Sequence, residues 1–189
     1  MHDMATLASD ASTLLIEAVE QTPRENWYMA SNLDGWTVRD LIAHVTGSAT
    51  KIVTLIEGGA LWGRSEPADW MVDNPAEVLR DLRRRMVESL PDADVDAPRR
   101  TPQQDGDVPL RSALAYPISD LAIHAWDLHR SQGRLVDLPD RVLAFISGLV
   151  ESVPEDILRR PGGFGPQQDV PDGASPTTKL MAFLGRAVG

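Results

Sequence analysis

The chain has 189 residues, 42% of them apolar and 24% charged, with a formal net charge of −10. That length supports one domain with a real core, expected over residues 1–189, and the acidity excludes nucleic acid and anionic membrane as natural partners, because phosphates are repelled. Cysteine is absent, which excludes disulfides, thiolate metal ligands and a protein thiol nucleophile, so any sulfur chemistry must use a thiol supplied by a small molecule.

The first predicted element is a helix from Ala5 to Glu20, where Leu7, Ala11, Leu14, Leu15, Ala18 and Val19 recur at helical spacing. The second has the clearest start: Thr37 is a good N-cap, Asp40 completes a capping box, and Trp36 can staple onto Leu41. It runs to Gly58-Gly59. A Trp-containing loop spans about 60–74, and Pro75 opens a third helix over 75–90. The stretch from Pro91 to Pro109 reads as a long surface loop. A fourth helix covers about 110–131, with Pro117 predicting a kink or a restart, and a fifth covers about 139–152. The tail from Pro161 to Pro176 is rich in Gly and Pro, and a short last helix is expected from Thr177 to Leu184.

No stretch alternates strictly enough to be a convincing strand. The fold class is therefore all-α, a four-helix bundle with extra short C-terminal helices, and such a bundle can form a homodimer. No run of ~18 apolar residues predicts a membrane span. Met1-His2-Asp3-Met4 lacks the pattern of a signal peptide, so a cytoplasmic location is expected. The basic cluster Arg80, Arg83, Arg84 and Arg85 reads as a solvated helix face.

Chemistry concentrates in two similar segments, Asp40-Leu41-Ile42-Ala43-His44 and Asp120-Leu121-Ala122-Ile123-His124. In each, acid and imidazole lie at i and i+4, on one face of an otherwise apolar helix. A buried unpaired Asp or His is costly, and a divalent cation shared between two helices would satisfy both pairs. Asp40 has a separate explanation as a capping residue. Asp120 lacks one if its helix starts near Leu110, but gains one if Pro117 starts it. The economical ligand set is His44, Asp120 and His124. Two imidazoles and one carboxylate suit Zn²⁺ first, and also Ni²⁺, Fe²⁺ or Mn²⁺, and three protein ligands leave a position open. The competing reading is that helix-face histidines are ordinary core or surface residues. His129 is expected to be exposed on another face, and His2 lies in a frayed terminus. For Trp36, Trp62, Trp70 and Trp126, packing is favoured over lining a site entrance. For Arg39 and Asp127, an ion pair or cap is favoured over catalysis.

The segment Gly35-Trp36-Thr37-Val38-Arg39-Asp40-Leu41-Ile42-Ala43-His44 resembles a signature of the mycothiol-dependent, maleylpyruvate isomerase-like branch of the DinB/YfiT-like superfamily. Asp120-Leu121-Ala122-Ile123-His124-Ala125-Trp126-Asp127-Leu128 resembles its second signature, and Phe164-Gly165-Pro166 through Leu180-Met181-Ala182-Phe183-Leu184-Gly185-Arg186 its C-terminal pattern. The resemblance implies an up-down-down-up bundle binding a divalent metal, usually zinc, through His44, Asp120 and His124. It also implies a low-molecular-weight thiol, mycothiol or bacillithiol, transferred or added to a small electrophile. The isomerase itself usually carries Glu at the position of Asp120 and has a further C-terminal domain, which this chain is too short to hold. The resemblance therefore implies metal binding more directly than maleylpyruvate isomerisation. Two other classes stay open on the residues alone: a metal-dependent hydrolase or lyase using bound water, and a non-catalytic metal- or ligand-binding accessory protein.

Overall fold

The structure is a computed structural model describing residues 3–61, 66–102, 106–159 and 163–189. Among the described residues, seven α-helices and one small hairpin follow in chain order: α1 Met4–Glu20, α2 Val38–Ile56, α3 Pro75–Ser89, β1 Pro98–Arg100, β2 Asp107–Pro109, α4 Leu110–Ser131, α5 Asp140–Glu151, α6 Glu155–Leu158 and α7 Pro176–Phe183. The four long helices α1 to α4 form the bundle. Both α1 and α2 pack on α3 and on α4, so α1 and α2 sit across one diagonal and the connection between them crosses the end of the bundle.

Each bundle helix buries the stripe its periodicity predicts. Leu7, Leu15, Leu41, Ile52, Met86, Leu114, Ile118 and Leu121 are among the fully buried side chains. The start of α2 is fixed by a capping box. The Thr37 hydroxyl accepts from the Asp40 amide at 3.1 Å, and the Asp40 carboxylate accepts from the Thr37 amide at 2.9 Å. The helix α4 runs continuously through Pro117 from Leu110. Asp120 therefore lies mid-helix, where no helix end explains its charge.

The expected loop from Pro91 to Pro109 contains a hairpin instead. Pro98, Arg99 and Arg100 pair antiparallel with Pro109, Val108 and Asp107. Each strand has three residues, too few for alternation to show, and Pro at the outer position of each hides the signal further. Arg100 and Asp107, opposed in register, add an ion pair at 3.5 Å. The short helix α6 also lies outside the predicted elements. Among the described residues, no helix is long and apolar enough to cross a membrane.

Candidate metal centre

The two signatures meet where α2 packs on α4. His44 and Ser48, one turn apart on α2, face Asp120 and His124, one turn apart on α4. His44 Nε2 lies 3.0 Å from Asp120 Oδ2, and His124 Nε2 lies 3.2 Å from Asp120 Oδ1. The two imidazole rings stand perpendicular, with centroids 5.0 Å apart. Among the described residues, these are the side chains of His, Asp or Glu that gather three donor atoms within 4.8 Å of one another. Two imidazole nitrogens and one carboxylate oxygen form a donor set that fits a divalent ion with an open position. Asp40, the fourth candidate, is engaged by Thr37 through both its amide and its hydroxyl.

The centre is deepest at His124 and open at its other two members. His124 is 8% exposed, whereas His44 and Asp120 are 26% and 31% exposed. The less buried side of the centre is therefore the one formed by His44 and Asp120. Trp36 forms part of the rim, its ring edge-on to His44 with centroids 5.0 Å apart.

The electrostatics favour a cation. Burial would raise the Asp120 carboxyl, but the imidazoles outweigh it, His124 foremost, and hold it well below the usual carboxylate range. Burial would lower His124, but the charge of Asp120 opposes it, followed by the hydrogen bonds that the imidazole donates to Asp120 and Asp127. The imidazole is pushed up to about 9. His124 thus holds its proton more tightly than an imidazole free in water, and a metal ion at Nε2 would have to displace that proton.

Three residues of the site were not marked as such in the sequence. Ser48 donates to Asp120 Oδ2 at 2.6 Å, fixing the carboxylate; its one signal is its place four residues after His44. Asp127 is fully buried and accepts from His124 Nδ1 at 2.8 Å. That bond sets the tautomer that leaves Nε2 facing Asp120. Arg186 pairs with Asp127 at 3.1 Å, so the expected ion pair is present, on the carboxylate that also holds His124. Burial raises the Asp127 carboxyl, yet the Arg186 charge, then His124, bring it below its ordinary value.

The remaining candidates fall elsewhere. Arg39 stacks over Tyr28 and donates to its hydroxyl at 3.2 Å, and among the described residues it forms no ion pair. His129, expected to be exposed, is half-buried, and its Nδ1 is enclosed with no hydrogen-bond partner among the described residues. It faces a cavity of about 240 Å³ beside Leu14, Glu17 and Trp126, because the stripe α4 buries against α1 is wider than its apolar residues suggest. Trp126 is a core residue, 1% exposed, and Trp70 packs on Gly47 of α2. Arg80, Arg84 and Arg85 pair with exposed acids, as a solvated face requires. His2 and Trp62 lie outside the described residues.

Two solved structures are similar to this one. A mycothiol-dependent maleylpyruvate isomerase matches with a TM-score of 0.63 at 19% identity, over 78% of this chain and 68% of that one. A histidine-to-alanine variant of a mycothiol-dependent maleylpyruvate isomerase matches with a TM-score of 0.61, also at 19% identity and over the same shares of each chain. At that identity the likeness establishes the fold, and the DinB-like helical architecture expected from the sequence is the one found. No curated protein matches the chain. The family model described as mycothiol maleylpyruvate isomerase N-terminal domain matches residues 8–129, which include both signatures and more than half of the sequence. The chain belongs to the mycothiol maleylpyruvate isomerase N-terminal domain family.

Proposed function

We propose that His44, Asp120 and His124 bind one divalent metal ion, and that the protein uses it in a transfer or isomerisation of a small electrophile by a mycothiol-type thiol. The observation that carries this reading is the convergence of three metal-competent donors from α2 and α4 within 4.8 Å, in a member of this family. When bound, the ion would supply a thiolate near neutral pH, because a cation stabilises the ionised sulfur. The absence of cysteine accords with a thiol brought in from outside.

The protein's own groups have separable tasks. Ser48 and the two imidazoles hold the Asp120 carboxylate. Asp127 holds the His124 ring. The exposed flank of His44 and Asp120 admits substrate, and Trp36 offers it an apolar wall. Zn²⁺ is the first candidate for the ion, since it favours nitrogen-rich, low-coordinate sites; Ni²⁺, Fe²⁺ and Mn²⁺ accept the same donors.

The test is to incubate metal-loaded protein with mycothiol and a panel of small electrophiles, reading conjugates and isomers by mass spectrometry. Thiol-dependent products that disappear in His44→Ala support the proposal. Turnover that needs no thiol, or a panel with no thiol-dependent product, contradicts it.

A further inference from the structure

The last helix returns a cation to the bundle interior. It ends in a Schellman turn, with the Arg186 amide donating to the Met181 carbonyl at 3.0 Å and the Gly185 amide to the Ala182 carbonyl at 2.9 Å. Gly185 adopts φ +84°, and a Cβ there would stand 2.7 Å from the Gly165 backbone. Only glycine fits a crossing this close. The turn reverses the chain, so that Arg186 points back toward α4.

The Arg186 side chain is 8% exposed, and its guanidinium carbon lies 5.3 Å from the Phe164 ring centroid. Its Nη2 donates to Asp127 Oδ2 at 3.1 Å and its Nε to Asp127 Oδ1 at 3.4 Å. Asn32 Nδ2 adds a donor to Oδ1 at 2.9 Å. The same Oδ2 that takes Arg186 takes His124 Nδ1, at 2.8 Å. A hydrogen-bonded chain therefore runs from the C-terminal segment through Asp127 to His124, whose other nitrogen faces Asp120.

We infer that Arg186 is a positioning residue of the metal centre, acting through Asp127 to fix the His124 ring, so that the C-terminal segment sets metal affinity. The inference rests on the metal reading proposed above. A buried ion pair is by itself weak evidence of a stabilising role, because an apolar pair of similar volume often serves stability as well. Its placement is the argument. The pair sits on the carboxylate that orients a ligand, and partners of that kind typically carry 10–100-fold in metal affinity.

The experiment measures Zn²⁺ affinity by chelator competition and the visible spectrum of the Co²⁺-loaded full chain. It compares wild type, Arg186→Lys, Arg186→Met and the double variant Asp127→Leu/Arg186→Met. Arg186→Met is expected to weaken Zn²⁺ binding by about 10–100-fold and to shift the Co²⁺ bands. Arg186→Lys recovers part of the loss. The double variant removes the stranded charge and so regains thermal stability without metal, yet it still binds weakly. A purely structural role predicts the opposite for the double variant, with affinity returning alongside stability, and that result overturns the inference. If Arg186→Met does not fold, Arg186→Lys carries the comparison: Zn²⁺ affinity below that of wild type at unchanged thermal stability supports the inference, and wild-type affinity overturns it. If wild type binds Zn²⁺ and the variants bind it equally well, only the role of Arg186 fails. If wild type binds none, the metal reading fails and this inference with it.

Discussion

A metal ion reaching this centre must displace a proton from His124. With burial opposed by Asp120 and Asp127, that proton is held up to about pH 9. Binding to Nε2 releases one proton, so between about pH 7 and 9 the apparent affinity for Zn²⁺ should rise about tenfold per pH unit. Chelator competition across that window checks it, and a flat profile contradicts it. Without metal the sign is reversed. The folded value lies above the ordinary 6.5, so the stability His124 contributes is fully present below pH 6.5 and is lost as pH rises through about 9. At this scale the ligand candidates His44, Asp120 and His124 were legible, because i,i+4 spacing on an apolar face is local information. The parts played by Asp127 and Arg186 were not, since the two are 59 residues apart and meet only after the turn at Gly185 is made.

The elements carry the site because their ends and crossings are well defined. The capping box at Thr37 was readable, and the structure forms it with Asp40 as expected. The continuity of α4 through Pro117 was not readable, because local rules permit either a kink or a restart there. A sharper case is Gly47, in the interior of α2. Replacing a helical glycine by alanine ordinarily stabilises by roughly 0.5–1 kcal/mol. Here the new Cβ would stand 2.6 Å from the Trp70 ring, and displacing a packed indole costs about 1–3 kcal/mol. Gly47→Ala should therefore lower the urea midpoint and alter Trp fluorescence. A raised midpoint would show that Trp70 does not press on α2. The hairpin at Pro98–Arg100 and Asp107–Pro109 escaped the sequence for a related reason: its pairing is held by tertiary context and one ion pair rather than by strand propensity.

For the molecule as a whole, the bundle class followed from periodicity and helix ends, and the family from two signatures that lie within residues 8–129. The identity of the substrate did not follow, because the segments 60–74 and 91–109 carry no pattern with a fixed chemical meaning. The net charge of −10 is spread over a surface where basic residues such as Arg80, Arg84 and Arg85 pair with exposed acids. The centre between α2 and α4 therefore stands out as a place where buried charge is organised rather than solvated. The most direct test is the metal content of protein purified without a histidine tag, by inductively coupled plasma mass spectrometry, for wild type and His124→Ala. The account predicts about one divalent ion per chain in wild type and its loss in His124→Ala. Wild type without stoichiometric metal after Zn²⁺ supplementation, or His124→Ala retaining it in full, would contradict the account.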